Sequence, residues 1–126
     1  MSAANRKSIL IIEPNQQLRE EIFNFLLSAG YESIAATDSL PSNPGEISQS
    51  KYDVTLIDAG KPLTAHPHIA GDLTNISPGA RIIFMINAED QKLWDQIAAR
   101  SDNVRFLIKT EFARNLLYLL EENTQT

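Results

Sequence analysis

Four polar residues each stand at the end of an apolar run. Glu13 follows Ile9-Leu10-Ile11-Ile12, and Asp58 follows Val54-Thr55-Leu56-Ile57. Asn87 follows Ile82-Ile83-Phe84-Met85-Ile86, and Lys109 follows Val104 to Ile108. If these runs are strands of one parallel sheet, two carboxylates, an amide and an ammonium converge on one rim. That rim lies outside the strands' carboxyl ends, where open α/β sheets bind their ligands. An ammonium facing acids there suits ion pairing with a carboxylate or with a phosphoryl oxygen. Each residue also has a plainer reading. Asp58 fits a strand-ending turn, Glu13 a helix-start carboxylate facing the dipole, and Lys109 a solvated surface lysine. Asn87 serves equally well as an N-cap, with Asp90 three residues on in a loose capping box. His66 and His68 flank Pro67 at a spacing open to metal chelation, but they read as solvated loop residues.

The elements that must position these residues follow from periodicity. The first three runs lack alternation, as strands buried on both faces of a parallel sheet do. Glu32-Ser33-Ile34-Ala35-Ala36 is a weaker fifth strand. Leu18, Ile22, Phe25 and Ala29 form one stripe on a helix from about Gln16 to Ala29, and Gly30 follows where a left-handed residue stops a helix. Leu93, Trp94, Ile97 and Ala98 mark a second helix, and Phe112, Leu116, Leu119 and Leu120 a third. The stretch 67–77 is a less periodic helix. Residues 40–51 carry Pro41, Pro44 and Gly45 where the alternation wants a helix, so that helix is short or missing. Strands alternating with helices over short loops predict an α/β, flavodoxin-like, doubly wound sheet of five parallel strands.

At 126 residues the chain is read as a single domain, with a core of about 7–122 and tails at 1–6 and 123–126. Its 43% hydrophobic and 21% charged content describes a globular chain. Eleven Lys and Arg against 16 Asp and Glu give a net charge of −5, which argues against direct nucleic-acid or anionic-membrane binding. The absence of cysteine excludes disulfides, thiolate catalysis and Cys-type zinc sites, and fits a cytoplasmic protein. No apolar run approaches the roughly 20 residues of a membrane span.

In this order and spacing the motifs resemble the receiver domain of two-component response regulators. Ser8 to Arg19 looks like that family's opening strand, acidic turn and first helix. Tyr52-Asp53-Val54-Thr55-Leu56-Ile57-Asp58 looks like the strand that ends in the phospho-accepting aspartate, with Pro62 four residues on. Asn87-Ala88 takes the place of the family's Thr/Ser-Ala pair, and Phe106 and Lys109 match its aromatic and lysine positions. The resemblance implies strand order 2-1-3-4-5 and a signalling domain that is not an enzyme. It implies Asp58 as phospho-acceptor, Lys109 and Asn87 beside it, and Mg²⁺ held by Glu13, Asp58 and the backbone of Gly60. It further implies a histidine kinase or other signalling protein as partner, and a homodimer face carrying Trp94, Phe106 and the last helix. Taken alone, Trp94 reads as a partly buried helix residue and Phe106 as plain core.

Several positions depart from the family. Pro14 stands where a second metal-binding acid belongs and offers no side-chain oxygen; it suits a helix start instead, with Asn15 as cap or amide donor. Glu13 and Asp58 facing Lys109 are nearly balanced without metal, so a Lys109–Asp58 contact is expected. Asn87 replaces a hydroxyl. Thr110 replaces a proline that follows a cis peptide, and since cis before Thr costs ~3 kcal/mol, a trans bond is expected. Leu63 to His68 replaces a Gly-containing motif. The expectation is a degenerate receiver, with Mg²⁺ binding and phosphorylation weak or absent. The alternative is a pseudo-receiver acting purely as a protein–protein interaction module. A small flavodoxin-fold enzyme is a remote third reading, because no Gly-rich phosphate loop is present.

Overall fold

In the computed structural model, the residues described are 7–38, 52–58, 81–92, 95 and 104–121. The elements run β1 (Ser8–Ile12), α1 (Gln16–Ser28), β2 (Ser33–Thr37), β3 (Val54–Asp58), β4 (Arg81–Ile86), β5 (Val104–Ile108) and α2 (Phe112–Glu121). Short 3-10 turns lie at Ala88–Asp90 and Lys109–Glu111. The five strands form one sheet in the order β2-β1-β3-β4-β5, and every pair is parallel. The fold is flavodoxin-like, with the strand order expected from the sequence. The interrupted segment 40–51, the stretch 67–77 and the Leu93, Trp94, Ile97 and Ala98 stripe lie outside the described residues, as do Gly60, Pro62 and the two histidines.

Both faces of the sheet are buried, which explains the unbroken apolar runs. All residues of β3 and β4 are buried. Ile9, Ile11, Val54, Leu56, Ile83, Met85 and Leu107 pack on one face with Ile22 and Leu26 of α1 and Leu116 and Leu120 of α2. Leu10, Ile12, Ile57, Ile82, Phe84, Ile86 and Val104 form the core of the other face. The helical stripe read from the sequence is that first interface: Leu18, Phe25 and Ala29 flank Ile22 against the core. Phe25 meets Phe112 edge to face at 5.6 Å, tying α1 to α2. Truncating Ile22 or Leu26 to Ala is worth about 2–5 kcal/mol of stability at such sites.

Helix α1 has well-formed ends. Asn15 is its N-cap, with the side-chain oxygen accepting the Leu18 N–H at 2.9 Å. At the other end Gly30 takes φ 101°, the Gly30 N–H reaches Leu27 O at 3.0 Å, and the Tyr31 N–H reaches Leu26 O at 3.1 Å. This is a Schellman motif, and it delivers Tyr31 into the core against α1 and β2.

The amino-terminal rim of the sheet is tied down by the Asp53 carboxylate and by backbone carbonyls. Ser8 and Asp53 exchange bonds: Ser8 N–H to Asp53 Oδ2 at 2.9 Å, and Asp53 N–H to Ser8 O at 2.9 Å. The Arg81 N–H continues to Asp53 O at 3.0 Å. Two cations close the carboxyl end of α2: Lys7 Nζ donates to Leu120 O, and Arg81 Nη1 donates to Leu119 O at 2.7 Å. Cations at terminal carbonyls satisfy both the unpaired acceptors and the helix dipole. No described helix is long and apolar enough to cross a membrane.

Candidate functional site

Strand alternation decides which side chains meet at the opposite, carboxyl-terminal rim. Successive residues point to opposite faces. Carrying the alternation of Ile9 and Ile11, of Val54 and Leu56, of Ile83 and Met85, and of Leu107 forward assigns Glu13, Asp58, Asn87 and Lys109 to the face that carries α1 and α2. Register then sets their heights. Ile12 is aligned with Ile57, so Glu13 and Asp58 are side by side on neighbouring strands. Asp58 is aligned with Met85 and Met85 with Leu107, so Lys109 starts two residues further out. Its long side chain covers that offset.

The structure brings three of the four together. Lys109 Nζ lies 3.0 Å from Glu13 Oε1 and also contacts Asp58 Oδ1. Both carboxylates are buried, Glu13 at 1% exposure and Asp58 at 6%, while the lysine side chain keeps a partial opening to solvent. Glu13 is held further by the Asn15 N–H, which reaches Oε2 at 3.0 Å. Among the described residues Oε1 has no partner besides the ammonium. The backbone of Glu13 is pinned as well. Its N–H donates to Thr37 O at 3.0 Å and its carbonyl accepts from Arg19 Nη1 at 2.8 Å.

Two opposing forces act on the ammonium. Burial, the largest single influence, pushes the Lys109 pKa down. The contacts with Asp58 and Glu13, together with their charges, outweigh it and leave Lys109 above the ordinary lysine value of 10.5. Lys109 is therefore a cation at every physiological pH, shared between two acids.

Asn87 stands outside this group. It is exposed and occupies the N-cap position of the Ala88–Asp90 turn, where its carbonyl accepts the Asp90 N–H at 3.0 Å. Its side chain makes no capping hydrogen bond. Pro14 is exposed too, one residue before the cap of α1 rather than inside the helix. Phe106 packs with the core of the face opposite α2, so the surface that Phe106 and α2 share is the outer edge of β5. The Lys109–Thr110 peptide is trans. Arg19 is a site-margin residue that the apolar-run argument does not single out. Its signal is its place one turn into α1, four residues after the cap, from which a long side chain reaches back to the strand end.

Among the described residues the oxygens are committed in a way that does not suit Mg²⁺; the expected Gly60 carbonyl lies outside those residues. The ion demands near-octahedral oxygen coordination and is usually held by one or two carboxylates with retained waters. Here Glu13 Oε1 and Asp58 Oδ1 converge on an ammonium, Glu13 Oε2 accepts a backbone N–H, and the Asn15 oxygen caps α1. Pro14 adds no oxygen, and among the described residues no three acid, histidine or cysteine side chains cluster as a metal site would. The cation between these acids is the protein's own.

No family model and no curated protein sequence matches the chain. Solved structures do resemble it. A fusion carrying the yeast Spc42 trimeric coiled coil matches with a TM-score of 0.70 at 20% identity, covering 92% of this chain and 75% of that one. A putative pilus assembly-related protein from Burkholderia pseudomallei matches at 0.64 with 18% identity, over 95% of this chain and 93% of that one. A putative pilus assembly protein, CpaE, from Burkholderia thailandensis matches at 0.60 with 18% identity, over 92% and 99%. Likenesses at 18–20% identity establish the fold, a five-stranded parallel α/β sheet wound as in flavodoxin.

Proposed function

We propose that the chain is a receiver-like signalling domain of a two-component or related pathway, acting through protein–protein contact rather than as an enzyme. Asp58 occupies the phospho-acceptor position, and its phosphorylation is weak or absent. One observation carries the reading: the Lys109 ammonium bridges the two buried carboxylates, Asp58 and Glu13. Phosphoryl transfer brings an anionic donor to an anionic acceptor and depends on neutralising that charge. Here the cation that would do so is already divided between two acids, and Pro14 brings no oxygen where a second metal-binding acid belongs. The partner is a histidine kinase or another signalling protein. A homodimer through the face that carries Trp94, Phe106 and the last helix is the companion proposal.

Incubation with Mg²⁺ and acetyl phosphate, read by intact mass spectrometry beside Asp58→Asn, tests the reading. The expected result is no phosphoryl adduct, or a small fraction, that depends on Asp58. Stoichiometric labelling that is stable to acid, labile to base and abolished in D58N would overturn it in favour of an active receiver.

A further inference from the structure

The sheet has two outer strands, and they are guarded differently. Exposed edges recruit other strands unless a charge, a proline or a bulge prevents it. β5 carries Arg105 at its second position. β2 reads Ser33-Ile34-Ala35-Ala36-Thr37, with no charge and no proline, and pairs with β1 in unbroken register through all five residues. Among the described residues no strand pairs with its outer edge. Beside it, between β2 and α1, lies a groove of about 250 Å³ lined by Arg19, Glu20, Phe23, Asn24 and Ala36. That is below the roughly 300–1,000 Å³ of small-molecule pockets.

We propose that the β2 edge and this groove form a docking site for an extended segment of a partner protein. The segment adds as a strand along β2, sets one apolar or aromatic side chain against Phe23 and Ala36, and carries Lys or Arg at both ends. Strand addition draws affinity from main-chain hydrogen bonds and specificity from pockets for alternate side chains, and the groove lies on the face to which every second side chain of an added strand points. Charge selects the occupant. Exposed Glu32 and Asp38 bracket β2, and exposed Glu20 lines the groove. The one cation there, Arg19, donates to Glu13 O. A second copy of this chain is a poor occupant: antiparallel pairing centred on Ala35 sets Glu32 opposite the copy's Asp38, and like charges directly opposite destabilise a pair. The site does not depend on any chemistry at Asp58.

Fluorescence anisotropy with the labelled peptide Lys-Val-Thr-Phe-Thr-Val-Lys, and with the same peptide bearing Glu at both ends, tests the proposal. The proteins are wild type, Ala36→Lys and the double variant Glu32→Lys/Asp38→Lys, each checked for folding by circular dichroism. All three substituted positions are exposed. The Lys-ended peptide should bind wild type about tenfold more tightly than the Glu-ended one, as two exposed charge pairs allow. A36K should lose binding, the double variant should invert the charge preference, and amide shifts should map to Ser33–Thr37. Asp58→Asn should bind as wild type does, which separates this site from the pocket. No binding of the Lys-ended peptide, equal binding by A36K, or indifference to end charge would overturn the proposal. So would a wild-type dimer that A36K dissociates.

Discussion

The two ends of the sheet use cations in opposite ways. At the amino-terminal rim Lys7 and Arg81 meet carbonyls of α2, and Ser8 and Asp53 satisfy each other across β1 and β3. At the carboxyl-terminal rim a single ammonium faces two buried carboxylates. The first arrangement ties strands and helix together through backbone carbonyls of α2. Among the described residues the second leaves a local charge of one negative, softened by the Asn15 N–H at the start of α1. The difference lies in what the cations meet: both rims are ordered by cations, but among the described residues only the carboxyl-terminal rim sets one between two buried carboxylates.

The largest expected effect comes from removing the shared cation. Lys109→Met leaves two buried acids without their counter-ion, and breaking a buried pair in this way costs about 3 kcal/mol or more. Urea unfolding measures it, and adding Asp58→Asn and Glu13→Gln to K109M should recover most of the loss. At the other rim Arg81→Met removes a charged donor from a helix carbonyl and should cost about 2 kcal/mol, with no rescue by acid substitutions. If K109M and R81M respond alike to those neutral partners, the contrast between the rims fails. Asn15→Ala removes the α1 cap bond and should cost about 1 kcal/mol.

Asp58→Asn alone should be nearly neutral, within about 1 kcal/mol, because Glu13 still balances Lys109. The asymmetry between K109M and D58N is the sharper test. A smaller effect is pH dependence at the alkaline end. A lysine whose folded pKa is raised contributes stability that is fully present below its ordinary value of 10.5 and lost as pH rises through the folded value. Tyr31, raised above 10.0 first by burial and then by the charge of Glu121, loses its contribution in the same direction. In a Tyr31→Phe background the remaining alkaline loss should be shallower in K109M than with Lys109 intact.

Much of this was legible in the sequence because burial on both faces leaves a mark. The runs ending in Glu13, Asp58, Asn87 and Lys109 are strands in the expected order, and α1 stops at Gly30 where expected. β2 was the faint one, since an edge strand is only partly covered and keeps small residues such as Ala35 and Ala36. The convergence of Glu13, Asp58 and Lys109 followed from their places at the carboxyl ends of the strands, and strand parity in the structure sets the face they share. Asn87 shows the limit of that parity: it shares the face, yet its side chain is exposed and makes no capping hydrogen bond. Arg19 and the Asn15 N–H escape sequence reasoning because they act through backbone groups, which no side-chain pattern marks.

The central proposal is that Lys109 serves as the pocket's own cation in place of a divalent one. Its most direct test is a Mg²⁺ titration of the wild-type protein, following the amide resonances of Glu13, Asp58 and Lys109 by NMR at constant ionic strength. The account predicts that these resonances stay in place through the millimolar range. Saturable shifts confined to those three residues would contradict it.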